Sequence, residues 1–227
     1  MVVKKAAKSE KGEPNLKGKN PLYLWSFVAV NSAVFLSVTV NKGLPQSLQS
    51  LTQTWSQVSA KNGIIAACIP IAVIILSGVI SDKMKARLVF WRWRDPLPGC
   101  RAFSALVESD PRINAKILAA KHGKFPRTPS AQNALWYKIY RQHKLKRMIW
   151  SAQQVFLLTR DLTAIAACIA VLFSVAAALA RVDWKTWLGY TVVLILQYIV
   201  VARAARNYGD SFVLDVLCEE CATCGTA

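Results

Sequence analysis

Tryptophan alternates with arginine at Trp91-Arg92-Trp93-Arg94, and a second mixed set, Trp136, Tyr137, Lys138, Tyr140 and Arg141, follows further along the chain. Arg101, Lys144, Lys146 and Arg147 add cations beside them. Guanidinium groups clamp phosphate in a two-pronged fork and aromatic faces stack on bases, so the combination suits a nucleotide or single-stranded oligonucleotide. The same cations suit anionic lipid headgroups or an acidic protein partner, and residue type alone leaves these open. The candidate ligand residues are Trp91, Arg92, Trp93, Arg94, Arg101, Trp136, Lys138, Arg141, Lys144 and Arg147. A purely structural role is the alternative for the first set. Pro96 and Pro98 would stop a helix, Gly99 would permit the reversal, and Trp91 and Trp93, about 200° apart on a helix, would each anchor a different neighbour.

Catalysis finds little in the chain. It has two histidines, His122 and His143, in no zinc-ligand pair, and it lacks G-x-S-x-G, G-x-x-x-x-G-K-[ST] and any G-x-G. Asp82, Asp95, Asp110 and Asp161 read as helix-end residues rather than as an acid/base pair. Cys218, Cys221 and Cys224 recur every three residues, but a fourth ligand for zinc is missing nearby, so they read as free thiols on a fraying tail, with a metal site shared between subunits as the alternative. No enzyme activity, metal or cofactor is expected.

The elements that must position the candidate residues follow from composition. A chain of 227 residues that is 54% hydrophobic and yet carries a net charge of +17 must segregate apolar from basic residues. Four runs have bilayer length: Pro21 to Val40, Ile64 to Ile80, Leu162 to Ala180 and Trp187 to Ala202. The expected fold is an all-α membrane protein with four transmembrane helices and a basic helical cytoplasmic domain between the second and third. Its parts are a basic tail (1–20), a first transmembrane hairpin (21–81), the basic domain (82–160), a second hairpin (161–203) and a C-terminal helix with a cysteine-containing tail (204–227). Lys and Arg concentrate in the tail, the central segment and after the fourth span, against only Lys42, Lys61, Arg181 and Lys185 on the other side, which places both termini in the cytoplasm.

The central segment carries 17 basic and 4 acidic residues, more charge than orientation needs. Asp110-Pro111 predicts a helix start closed by Gly123, and Thr128-Pro129 predicts another. From Pro129 to Gly189 no proline or glycine intervenes, so one helix of about 50 residues, on the order of 75 Å, could run into the third span, with any break at His143 to Arg147. The second span is predicted to continue as a helix to Pro96, followed by a short return helix from Cys100 to Val107. Arg181 to Lys185 reads as a tight hairpin, and Leu44, Leu48, Leu51, Trp55 and Val58 form an apolar stripe in the outer connection.

Within the spans, Ala166, Ala170, Ser174 and Ala178 make a ridge of small residues for close helix packing. Asn31, Ser32, Ser37 and Gln197 are the clearly polar groups. They serve either as interhelical hydrogen-bonding residues or, in the case of Asn31, Ser37 and Gln197, as the lining of a narrow uncharged water path between subunits. This layout, together with RWRDPLPGCRAF (Arg92 to Phe103), DPRINAKILAAKHGKFPRTP (Asp110 to Pro129) and QNALWYKIYR (Gln132 to Arg141), resembles the small bacterial four-span membrane effectors of nucleotide-signalled anti-phage defence. The resemblance implies a homo-oligomer, with a tetramer as first assumption, that senses a nucleotide through its cytoplasmic part and permeabilises the inner membrane. A non-conducting membrane scaffold that recruits a soluble cytoplasmic partner is the competing expectation.

Overall fold

The computed structural model describes residues 20–41, 49 and 71–224. The basic N-terminal tail, the amphipathic outer stripe from Leu44 to Val58 and the first part of the second apolar run, with Cys68, lie outside the described residues. Among those described, every regular element is helical. They are α1 (Asn20–Asn41), α2 (71–79), α3 (Asp82–Phe90), α4 (Ala115–His122), α5 (Pro129–His143), α6 (Arg147–Leu179) and α7 (Trp184–Cys224), with a 3-10 turn at Pro98–Arg101 leading into a π-helical turn at Ala102–Leu106.

Three of these helices, α1, α6 and α7, are long and apolar enough to cross a membrane. Nothing in α6 or α7 breaks the backbone hydrogen-bond ladder, so each runs through both the apolar and the charged half of the molecule. They are joined by the tight hairpin at Ala180–Asp183. Arg181 takes a left-handed conformation there (φ 55°), and the Asp183 carboxylate accepts from the backbone N–H groups of Lys185 and Thr186. The hairpin sets α6 and α7 side by side along their lengths, and the other described helices pack on this pair.

Two cores result. In the apolar half, Val28, Phe35 and Val38 of α1 and Val73 of α2 pack with Ile165, Ile169, Phe173 and Ala177 of α6 and Tyr190 and Leu194 of α7. The outward faces of the same helices expose Val30, Val171, Val175, Val192, Leu196 and Val200. An apolar exterior around a packed interior is what a bilayer solvent stabilises. In the charged half, Phe90, Phe103, Leu118, Trp136, Ile139, Ile149 and Phe156 gather around Phe212, Val213, Val216 and Leu217 of α7. Each fully buried side chain of this size contributes about 1.5–3 kcal/mol of transfer free energy, so this second core orders the segment between α2 and α6.

Several helix boundaries differ from the sequence expectation, each for a local reason. The second apolar run does not continue unbroken to Pro96. The helix stops at residue 79, and Ser81 then caps α3 by accepting from the Met84 N–H. That helix ends at Phe90, where Trp91 turns left-handed (φ 53°) and its N–H bonds to the Arg87 carbonyl. Trp91 and Trp93 are therefore outside any helix. Gly99 is not the reversal point, because the positive-φ residues of this corner are Trp91 and Asp95. What requires glycine at 99 is space: a Cβ there would lie 2.5 Å from Asn133 Oδ1 and 2.9 Å from the Trp136 ring. The return segment is the short 3-10 and π-helical pair, not a regular helix.

The helix expected at Asp110-Pro111 begins only at Ala115. Asp110 instead caps a turn by accepting from the Arg112 N–H, and Asn114 caps the helix proper through Lys116 and Ile117. Gly123 closes it with φ 78°, and Thr128-Pro129 opens α5. The long helix is interrupted at Lys144–Lys146, inside the charged stretch. Asp161 is no helix-end residue: it sits within α6, paired with Lys85 at 3.1 Å, while Arg160 reaches Asp82 at 3.0 Å. The cysteine tail does not fray over Cys218 and Cys221, which lie in α7. Both are free thiols, and the buried Cys221 faces the Asn114 carbonyl. Among the described residues no group of His, Cys, Asp and Glu is arranged to hold a metal ion.

Candidate functional site

The irregular corner at Pro98–Leu106 leaves backbone donors without helical partners, and α5 supplies what they lack. Gln132, almost fully buried, accepts from the N–H groups of both Phe103 and Ser104 at 3.1 Å through its Oε1. With Gly99 pressed against it, Trp136 is fixed one turn further along the same helix face, and its indole N–H points at the Val213 carbonyl of α7 at 3.4 Å. Tyr140, one turn on again, stacks on Trp136 with centroids 5.6 Å apart and planes 13° apart. Phe212 meets both rings edge-on at 5.4 and 5.6 Å.

These aromatics wall a cleft of about 430 Å³ between the Leu97-Pro98-Gly99 corner, α5, α6 and α7. Its floor is Phe156, Leu157 and Phe212, and its polar groups are Asn133, Gln153 and the Tyr140 hydroxyl, which donates to Gln153 Oε1 at 2.8 Å. Tyr137 stands exposed at the mouth, and Arg141 follows it by one helical turn. An apolar, ring-lined cleft with a few amides suits a planar ligand, and its own lining holds no lysine or arginine.

The other candidate residues divide into separate places. Lys138 and Arg141 lie on the exposed side of α5, and Lys144 follows at its end. Arg147 opens α6 and borders a shallow groove with Met148, Ser151, Tyr208, Ser211 and Asp215. Arg101 is engaged within the fold. It pairs with Asp210 at 2.8 Å and lies over the Phe90 ring at 5.5 Å. Burial pushes the Asp210 carboxyl up, against the opposing pull of Arg101, Arg206 and Arg92.

Trp91, Arg92, Trp93 and Arg94 form a loop on the outside of the molecule, beside α3 and α7. Trp91 donates its indole N–H to the Tyr198 hydroxyl at 3.0 Å, and Arg206 lies over the Trp91 ring at 4.8 Å. Arg87 donates to the Trp93 carbonyl and lies over its ring. The structure thus brings Trp136 together with Tyr137 and Tyr140, but it does not merge the two Trp-rich sets into one site.

In the apolar half, Asn31 donates its amide to the Phe27 carbonyl of its own helix at 2.9 Å. Asn31, Ser32 and Ser37 are buried on the bundle side of α1, and Gln197 is half-buried on α7. The Ser32, Ser174, Tyr190 and Thr191 hydroxyls are buried with no hydrogen-bond partner within the described chain.

One cluster was missed at the sequence level. Glu220, 0% exposed near the end of α7, accepts from His122 Nε2 at 2.8 Å and Lys121 Nζ at 2.8 Å through Oε1, and lies 2.5 Å from His143 Nε2 through Oε2. Lys146 pairs with the neighbouring Glu219. Burial alone would raise the Glu220 carboxyl, but the bonds from Lys121, His143 and His122 outweigh it and hold it at about 2. This clamp ties the C-terminal end of α7 to α4 and to the α5–α6 corner. Sequence spacing offers no sign of it, since its partners lie 77 and 98 residues away.

No protein-family model matches this chain, and no curated protein or solved structure is found to resemble it.

Proposed function

We propose that the protein is a homo-oligomeric, pore-forming effector of a bacterial inner membrane, gated by an anionic nucleotide or oligonucleotide at a basic cytoplasmic domain and acting in anti-phage defence. The observation that carries this reading is mechanical. The cleft is built on Gln153, Phe156 and Leu157 of α6 and Phe212 of α7, and the same two unbroken helices form the apolar bundle. A ligand shifts an equilibrium only by its differential affinity for two states. One that spreads or closes the cleft therefore acts on rods that also line the bundle. The base would stack against Trp136, Tyr137 and Tyr140, with Lys138, Arg141 and Lys144 at the phosphates. Asn31, Ser37 and Gln197 would line the water path once the ligand has shifted the helices, since Asn31 and Ser37 are buried within the bundle in the present arrangement.

The test is ion flux through the purified chain in liposomes, with and without cyclic nucleotides and short oligonucleotides. Flux altered by one nucleotide class in the wild type, and unresponsive in Tyr137→Ala or Arg141→Gln, is the expected outcome. A folded, inserted protein that conducts under no condition would sink the channel reading in favour of a membrane scaffold recruiting a soluble partner.

A further inference from the structure

The Trp91–Asp95 loop has a fixed position along the bundle. The α6–α7 hairpin turns at Ala180–Asp183, so positions equally far from the turn on the two helices stand side by side. Asp161 and Ala202 are such a pair, and there the apolar runs give way to Arg160 and Asp161 on one helix and Arg203 and Arg206 on the other. The loop is pinned at this level. The Tyr198 hydroxyl donates to the Leu88 carbonyl and accepts from the Trp91 indole, while Arg206 covers the Trp91 ring and donates to the Val89 carbonyl. The Trp91 ring therefore sits between the levels of residues 198 and 206, a band of about 12 Å at 1.5 Å per residue. The left-handed Trp91 reverses the chain, and Arg87 holds the Trp93 carbonyl at 3.1 Å, so the loop folds back beside α3 rather than extending away.

In this band Trp93 is 75% exposed although its backbone and ring are both held by Arg87. Arg92 and Arg94 are exposed on either side of it, and Trp91 is 54% exposed. Of the nearby acids, Asp161 and Asp82 are paired with Lys85 and Arg160, and Asp210 with Arg101, leaving Asp95 as the acidic residue of the loop itself. An indole held outward among arginines, at the end of an apolar exterior, matches the headgroup layer, where amphipathic rings and phosphate-binding cations are both stabilised.

We propose that the Trp91–Arg94 loop, with Arg87 and Arg206, binds the phosphate of an anionic phospholipid, so that these residues read the membrane and not the soluble ligand of the cleft. The occupant is a lipid headgroup, and the proposal stands whether or not the chain conducts.

Full-length protein in neutral detergent is titrated with phosphatidylglycerol or phosphatidylcholine of the same acyl chains, and retained lipid is counted by native mass spectrometry. Wild type retains phosphatidylglycerol at about tenfold lower concentration. The double variant Arg92→Gln with Arg94→Gln loses that preference, and Trp93→Ala weakens retention of both lipids. Both variants change exposed side chains, and a Tm within a few degrees of wild type in the absence of lipid checks that they fold. Equal retention of the two lipids by wild type, or an unchanged preference in the double variant, overturns the proposal. Displacement of phosphatidylglycerol by millimolar inorganic phosphate or a cyclic nucleotide also overturns it, because the site would then belong to a soluble anion.

Discussion

The two halves of the molecule satisfy their polar groups in opposite ways. In the apolar half, hydroxyls and amides turn back on their own helices: Asn31 bonds to Phe27, Thr39 to Phe35 and Leu36, Ser77 to Ile74, and Thr163 to Thr159. The Trp187 indole crosses from α7 to the Ser174 carbonyl of α6, yet several buried hydroxyls have no partner in the described chain. In the charged half, the bonds join distant elements: Gln132 to the 103–104 backbone, Trp136 to α7, Arg101 to Asp210, and Glu220 to two histidines and a lysine. The difference teaches that the charged half specifies its arrangement through bonds between distant elements, whereas the apolar half relies on packing and leaves the buried Ser32, Ser174, Tyr190 and Thr191 hydroxyls without a partner among the described residues.

The strongest way to break the contrast is to remove the clamp. Glu220→Ala leaves His122, His143 and Lys121 facing an empty buried site and should destabilise the charged half by roughly 3–5 kcal/mol, read from denaturant melts of tryptophan fluorescence. The pH dependence has a definite sign. The folded Glu220 carboxyl lies at about 2, below its ordinary 4.5, so its contribution is complete above pH 4.5 and lost as pH falls toward 2. Glu220→Gln should flatten that acid-side loss, and an unchanged profile would show that the clamp does not govern acid stability.

Next in size is overpacking where α7 meets the corner. A Cβ at Gly209 would lie 2.8 Å from the Phe156 ring and 2.9 Å from the Phe90 ring, so Gly209→Val should cost about 1–3 kcal/mol by the same melts. Gln132→Leu orphans the Phe103 and Ser104 amides and should destabilise by a similar 1–3 kcal/mol while leaving the α6–α7 helicity intact by circular dichroism.

The smallest effect sharpens the comparison from the other side. Ser32→Ala and Ser174→Ala remove hydroxyls that bond to nothing within the described chain, so the stability of an isolated subunit should change by less than about 0.5 kcal/mol. Denaturant melts of the two variants check this, and a loss above about 1 kcal/mol would show that these buried hydroxyls are satisfied after all.

Local signals were legible where a single residue fixes the local backbone. Gly123, Thr128-Pro129 and the Arg181 hairpin all mark real boundaries, and the interruption at Lys144–Lys146 falls in the charged stretch read from the sequence. Breaks set by distant partners were not legible. Trp91 ends α3 although tryptophan is no helix breaker, because its ring is held between Tyr198 and Arg206. Of the candidate site, Trp136 with Tyr137 and Tyr140 could be read as a ring-bearing helix face, but whether those rings faced a core or a cleft depended on Phe156 and Phe212 from other helices. The Trp-Arg loop kept its chemistry and changed its address, from a shared ligand site to the edge of the bundle.

Sequence by itself determined the helical class, the segregation of apolar from basic residues and the uninterrupted length of α6, because hydropathy, charge and the absence of proline or glycine act along the chain, whereas α7 runs unbroken through Gly189 and Gly209. Only the tertiary structure decided which cations are engaged, which rings share a cleft and that Glu220 lies between His122 and His143. Those depend on contacts between residues far apart in sequence, and no local preference encodes which side chains a fold will bring within 3 Å of one another.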